Sequence, residues 1–337
     1  MAMYHLHVRF VKRSEGKSSV AAAAYRAGER LIDPYRQQQA EKARELEANG
    51  EQAGQVLPHI LDFRHKAGQV QHAEVMTPGH VPDRLSDRQP MWGTVEDTLN
   101  YKTGQPAFEV EVALPRELSP EQRVELARGF AQREFVDNGL IVDLCIHMGV
   151  ASDGGEHPHA HMLITTRRWD EHGNMTKAAR DLQDKPHELK RIYALEEAGK
   201  LDEALIAAKG THLAGWRERW ADDTNAFLEE HGHSDRVDHR TLETQAVGRE
   251  PTPNIGVGFY DRLREFRGHM AERVDHWKEV GIRNAVREQY QRIREHYPKL
   301  QDDFIAHVRG YGERMFPEME HEPELQPQLE QEVEHER

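Results

Sequence analysis

The feature that most constrains this chain is an alternation of apolar and ionisable side chains in three segments. In residues 108–114, 140–148 and 159–166 most even-numbered positions are apolar. Alternate side chains of a β-strand point to opposite faces, so the alternation predicts three strands with one core face and one ionisable face. If these strands share a sheet, five groups converge on the second face: Glu109, Glu111, His147, His159 and His161.

The three histidines of this set predict a metal site. Imidazole nitrogens bind divalent cations, and three of them leave coordination positions open for a substrate. Glu109 and Glu111 are expected either to accept the second ring N–H of these ligands or to act as a base. His157 points to the same face and competes as a ligand. His5 and His7 form a second histidine pair on an earlier strand, but nothing else converges with them, so packing or a DNA contact is expected rather than metal ligation.

A strand and a capped helix are predicted near the N-terminus. Residues 3–11 alternate, and Ser18 precedes an alanine-rich run that continues through Tyr25. Serine before such a run is a typical helix N-cap. Tyr25 has the small residues Ala21, Ala22 and Gly28 at helical neighbour positions, which would let a DNA backbone come close. A metal site of this kind would use water as its nucleophile, as a hydrolase does, or a tyrosine, which gives a phosphotyrosyl intermediate.

The order of the remaining elements predicts an α+β fold. A strand is expected at residues 70–76 and a helix at 90–99, and residues 37–52 form an exposed helix or an insertion. The sequence from Ser119 to Gln122 is typical of a capping box with proline in the first turn. The strands at 140–148 and 159–166 are predicted to be antiparallel neighbours, and helices are expected at 186–209 and 216–230. Trp216 and Trp220, one helical turn apart, are interpreted as core residues rather than base-stacking residues.

The net charge of −14 is unevenly distributed. Residues 317–337 hold eight glutamates and one arginine, whereas residues 1–30 hold six basic and two acidic side chains. A basic N-terminal region is compatible with binding to nucleic acid. The single cysteine, Cys145, fits a reducing cytoplasm, and no stretch reaches the roughly 20 apolar residues of a membrane-spanning helix. The candidates for contacts to DNA are Arg9, Lys12, Arg13, Lys17, Arg26, Arg30, Arg167, Arg168, His239 and Arg240, with Lys177 and Arg180 also considered.

Several segments, in the same order along the chain, closely resemble the MobA/MobL family of plasmid mobilisation relaxases. They are residues 3–6 (MYHL), 21–30 (AAAAYRAGER), 109–115 (EVEVALP), 157–164 (HPHAHMLI) and 238–243 (DHRTLE). The resemblance implies an HUH-type fold, a central antiparallel sheet with helices packed on one face. It implies that Tyr25 is the nucleophile and that His147, His159 and His161 hold one Mg²⁺ or Mn²⁺ ion.

The same resemblance implies nicking of single-stranded DNA at an origin of transfer, a 5′-phosphotyrosyl intermediate and religation. Accessory relaxosome proteins and the coupling protein of a secretion system are the implied partners, in the bacterial cytoplasm. The predicted organisation is a relaxase domain at 1–245, a helical region of unknown role at 255–315 and an acidic, disordered tail at 316–337. The alternatives are a rolling-circle replication initiator, a phosphodiesterase that uses water, and a non-catalytic DNA-binding module.

Overall fold

The computed structural model describes residues 3–101, 103–150, 155–240 and 279–287. The chain forms two compact units, Met1–Thr241 and Leu242–Arg337. Of the second unit, residues 279–287 are described and are helical. The predicted acidic tail and the rest of the predicted C-terminal helical region lie outside the described residues. The predicted domain limits therefore stay predictions.

The first unit combines strands with helices. Its strands are β1 (Leu6–Val11), β2 (Arg30–Ile32), β3 (Ile60–Asp62), β4 (Val70–Met76), β5 (Ala107–Ala113), β6 (Val142–Val150), β7 (Glu156–Thr165), β8 (Arg167–Trp169) and β9 (Met175–Ala178). Its helices are α1 (Ser19–Ala27), α2 (Pro34–Ala48), α3 (Arg88–Thr98), α4 (Pro120–Ala131), α5 (Pro186–Glu197), α6 (Leu201–Ala208) and α7 (His212–Glu230).

Five of these strands form one antiparallel sheet in the order β1-β5-β7-β6-β4. The pairs β2–β3 and β8–β9 form separate two-stranded ribbons. In the sheet, His147 lies opposite His159, and Glu111 lies opposite His161. The predicted α+β class with a central antiparallel sheet is confirmed, and the register brings the ionisable positions of three neighbouring strands side by side.

The even-numbered face of the sheet is the apolar one. Phe108, Val110, Leu144 and Met162 are fully buried there against helices α4, α5 and α7. Trp216 and Trp220 of α7 lie inside this core, where burying such large aromatic surfaces is strongly favourable. Their interpretation as core residues is confirmed.

Helices cover both faces of the sheet, which corrects the expectation of helices on one face. The odd-numbered face is ionisable along part of its length only, because Ala107 and Leu163 are apolar and buried on it. Residues of α1 and α3, including Ala23 and Trp92, pack on those positions. The helix that carries Tyr25 therefore lies over the same face as the histidines.

The two predicted helix caps, at Ser18 and Ser119, are found in the structure. The Ser18 hydroxyl caps α1 by accepting from the Ala21 N–H, and Ser119 with Gln122 forms the capping box of α4. The edge strand β1 also forms backbone hydrogen bonds with a side chain. The Tyr193 hydroxyl of α5 accepts from the Val8 N–H at 2.8 Å and donates to the Val8 carbonyl at 3.1 Å. Within the described ranges, no helix is both long and apolar enough to cross a membrane.

Candidate metal centre and adjacent tyrosine

His147, His159 and His161 meet on the odd-numbered face of the sheet. Each offers a ring nitrogen, and these atoms lie within 4.8 Å of one another. His161 is buried, and the other two are half-buried. The structure thus brings together the three predicted metal ligands.

Hydrogen bonds fix which nitrogen each neutral ring presents. His147 Nε2 donates to the Arg26 carbonyl at 2.6 Å, and His159 Nδ1 donates to the His157 carbonyl at 3.0 Å. His161 Nδ1 donates to Glu109 Oε1 at 2.9 Å. A neutral ring that donates from one nitrogen keeps a lone pair on the other. Three imidazoles whose ring nitrogens converge form a donor set that suits a divalent transition-metal ion or Mg²⁺ with water.

Burial favours the neutral form of His147 and His159. Desolvation lowers the pKa of His147 to about 4, and it also lowers the pKa of His159. Since a metal ion competes with a proton for the same lone pair, a neutral imidazole is the form that binds. The electrostatics of the site therefore favour metal ligation.

Glu109 is the buried anchor of the site, with 1 % of its surface exposed. Its oxygens accept from Arg26, including Nη2 at 2.6 Å, from Arg9 and from His161. Burial opposes ionisation of this carboxyl, but the charge of Arg26 and the hydrogen bonds from His161 and Arg26 hold its pKa well below the ordinary value. Such a carboxylate is a poor base and a good positioning group.

Glu111 has a more exposed environment than Glu109. Its side chain is 26 % exposed, accepts from Arg9 Nη2 at 2.9 Å and lies 3.8 Å from His161 Nδ1. Arg9 thereby bridges both glutamates. Of the two carboxylates, Glu111 is the one with an oxygen close to solvent.

Tyr25 lies on the exposed side of α1, with 42 % of its surface accessible. It is next to Arg26, whose carbonyl binds His147 and whose guanidinium binds Glu109. The ring of Phe63 contacts Tyr25 edge-on, with centroids 5.4 Å apart. The nucleophile candidate is thus exposed and joined to the histidine cluster through the following residue.

The rival histidines do not join the cluster. His157 contacts His159, with ring centroids 5.5 Å apart, but lies outside the group of convergent ring nitrogens. The ring of His7 stacks on Tyr193 at 4.3 Å and is 6.3 Å from that of His5. Within the described chain, the packing interpretation of His5 and His7 is therefore the one that the geometry favours.

Three of the arginines proposed to bind DNA have other partners. Arg9 and Arg26 bind Glu109 in the site itself. Arg13 is buried and donates to the Leu99 carbonyl at 3.1 Å and to the carboxylate of Glu96. A buried guanidinium that already has a carboxylate cannot reach a phosphate, so the predicted DNA contact of Arg13 is replaced by a structural role.

The other basic candidates are more exposed but are spread over the surface. Lys12 and Lys17 pair with Glu15 at 3.4 and 2.7 Å, and Arg30 is exposed at the start of β2. Arg167 and Arg168 belong to the β8–β9 ribbon, which begins just after the end of β7. Arg168 pairs there with Asp181 at 2.6 Å. His239 is half-buried and Arg240 is exposed.

Sequence reasoning missed Lys66. Its Nζ donates to the Tyr25 hydroxyl at 2.8 Å, across 41 residues of chain. The local signal is weak, a basic and aromatic stretch from Phe63 to Lys66 before β4. No periodic pattern singles it out, and the contact exists because β3 returns to β2 beside α1.

Comparisons with known proteins identify relatives of this chain. The model of the MobA/MobL family matches residues 57–263. The chain is 28% identical to the "Probable mobilization protein MobA" of Bifidobacterium longum (strain NCC 2705) over 96% of the chain and 55% of that protein. It is 29% identical to the "Mobilization protein MobL" of Acidithiobacillus ferridurans over 76% of the chain and 62% of that protein.

A solved structure is also similar to the chain. It is described as "Molecular Basis of Vancomycin Resistance Transfer in Staphylococcus aureus" and superposes with a TM-score of 0.51 at 28% identity. The match covers 71% of this chain and 100% of that one. The chain spans 55% and 62% of the length of the two relatives named above. Since the family model matches more than half of its residues, the chain belongs to the MobA/MobL family.

Proposed function

We propose that this chain is a relaxase that nicks one strand of plasmid DNA at an origin of transfer, with Tyr25 as the nucleophile. The observation that carries the proposal is the position of α1 over the histidine cluster. His147 binds the carbonyl of Arg26, the residue that follows Tyr25, while the Tyr25 side chain stays open to a substrate. The names of the relatives, mobilization proteins, support the same reaction.

The proposed chemistry is a transesterification. Tyr25 Oη attacks the scissile phosphorus, the bond from phosphorus to the 3′ oxygen breaks, and the 5′ phosphate stays on the tyrosine. One phosphodiester replaces another, so the bond needed for religation is conserved and the 3′ hydroxyl can reverse the step. One divalent ion, Mg²⁺ or Mn²⁺, on His147, His159 and His161 would polarise a phosphate oxygen and offset charge in the transition state.

The remaining residues have positioning roles in this proposal. Glu109 orients His161 and holds Arg26, which fixes the end of α1 against the cluster. Glu111, with Arg9, lies at the edge where the substrate would enter. The relaxosome and coupling-protein partners, and a cytoplasmic location, stay predictions from the family resemblance.

The test uses the full chain with single-stranded DNA that contains the origin of transfer, with Mn²⁺ or with chelator, on a denaturing gel. We expect cleavage with Mn²⁺, no cleavage with chelator, and loss of cleavage in H161A. The matched control is H157A, which removes a neighbouring histidine outside the cluster and should retain cleavage. Cleavage of origin DNA by the Y25F variant would support the hydrolase instead. Absence of cleavage by the wild type would refute the proposal.

A further inference from the structure

We propose that Lys66 is a catalytic residue that stabilises the phenolate of Tyr25 during cleavage and religation; this inference rests on the proposed function. The Lys66 ammonium donates to Tyr25 Oη at 2.8 Å and lies 4.1 Å from the centre of the same ring. Among the described residues, no carboxylate forms an ion pair with Lys66. Its positive charge is therefore directed at the oxygen that would attack phosphorus.

Close backbone packing fixes the turn that carries Lys66. Gly28 ends α1 with a φ of +63°, and a Cβ atom at this position would lie 2.7 Å from Ala67 Cα and 2.8 Å from Ala67 N. Only glycine combines this backbone conformation with such an approach. The segment that contains Lys66 thus rests directly on the end of the tyrosine helix.

Backbone hydrogen bonds on the other side of Lys66 add a second constraint. The Phe63 N–H donates to the Glu29 carbonyl at 2.9 Å, and Arg30 pairs with Asp62 at the end of the β2–β3 ribbon. The Lys66 N–H then donates to the Phe63 carbonyl at 2.8 Å. The main chain is therefore held before, at and after Lys66. These contacts fix the position of the Lys66 backbone beside Tyr25.

A cation at this position would act in both directions of the reaction. In cleavage, the hydroxyl proton of Tyr25 passes to solvent, the bond from Oη to phosphorus forms, and the 3′ oxygen leaves and takes a proton from solvent. In religation, the phenolate is the leaving group. Lys66 stabilises the charge on Oη in both directions by a charge-assisted hydrogen bond.

The first test needs no DNA. Tetranitromethane nitrates the phenolate form of tyrosine, so nitration of Tyr25 in the full chain, followed by peptide mass spectrometry, reports its reactivity. We expect K66M to lower Tyr25 nitration about tenfold, the effect of one charged hydrogen bond, and K66R to retain most of it. Tyr101, which is 47% exposed, is the control in the same digest and should not change.

The second test measures single-turnover cleavage of origin DNA as a function of pH. We expect K66M to slow cleavage about tenfold at neutral pH and to move the half-maximal rate to higher pH, with rescue by K66R. Unchanged Tyr25 nitration in K66M would overturn the proposal, and slower cleavage without a shifted pH profile would show a DNA contact instead. If the wild type does not cleave, the relaxase proposal fails, yet nitration still decides the role of Lys66.

Discussion

Replacing Glu109 by glutamine is expected to destabilise the protein far more than the same change at Glu111. Glu109 is buried and accepts from two arginines and His161, whereas the Glu111 side chain is 26 % exposed and binds Arg9. The amide of E109Q keeps the shape but removes the charge, so the guanidinium of Arg26, whose side chain is 13 % exposed, loses its counter-ion.

The size of the effect follows from burial. Removing one partner of a buried ion pair costs about 3–5 kcal/mol, and the lower end applies because the exposed part of Arg9 can hydrate. In a domain of this size, 3 kcal/mol corresponds to a melting temperature lower by roughly 6–12 °C. E111Q should cost at most about 1 kcal/mol, or roughly 2–4 °C.

Thermal unfolding of the two variants, metal-free and under identical conditions, measures this difference. Equal melting temperatures for E109Q and E111Q would refute the reasoning that the buried carboxylate anchors the site. The pH dependence gives a second check, because the pKa of Glu109 is depressed in the folded state. Its contribution is present above the unfolded value of about 4.3 and is lost as pH falls through the folded value, so the wild type and E109Q should converge in acid.

Three further predictions concern other parts of the molecule. G28A should cost about 2 kcal/mol or more in urea unfolding, whereas G50A, also at positive φ but with open space around it, should cost about 1 kcal/mol. D143N removes the buried bidentate acceptor of Arg88 and should cost about 3 kcal/mol; an unchanged unfolding midpoint would contradict the role of that pair. In calorimetry, E109Q should bind Mn²⁺ about 10–100-fold more weakly than the wild type, while H157A should bind it with near wild-type affinity.

The sheet and the histidine cluster were predictable because they depend on side-chain parity. A period of two fixes the face of every residue in a strand, so Glu109, His147 and His161 could be assigned to one face before their order in the sheet was known. The N-cap of α1 at Ser18 was also predictable, because it depends on residues that are close together in the sequence. The histidine cluster needed one further condition, that the strands be neighbours, and the short connection from β6 to β7 supplied it.

What the sequence did not predict depends on contacts between distant segments. The Arg26 side chain, interpreted as a DNA contact, binds Glu109, and Arg13 binds Glu96, because charged side chains that become buried must find a partner. Lys66 reaches Tyr25 through the β2–β3 ribbon, whose strands are three residues each. Strands that short leave no readable alternation, so neither the ribbon nor the lysine could be inferred.

In the proposed reaction, Tyr25 becomes covalently joined to DNA with the help of the histidine cluster. The direct measurement is peptide mass spectrometry of the full chain after reaction with origin DNA and Mn²⁺, denaturation and nuclease digestion. We expect a nucleotide adduct on the Tyr25 peptide, and we expect no adduct with chelator or in H161A. Cleaved DNA together with an unmodified Tyr25 peptide, or an adduct on another residue, would contradict it.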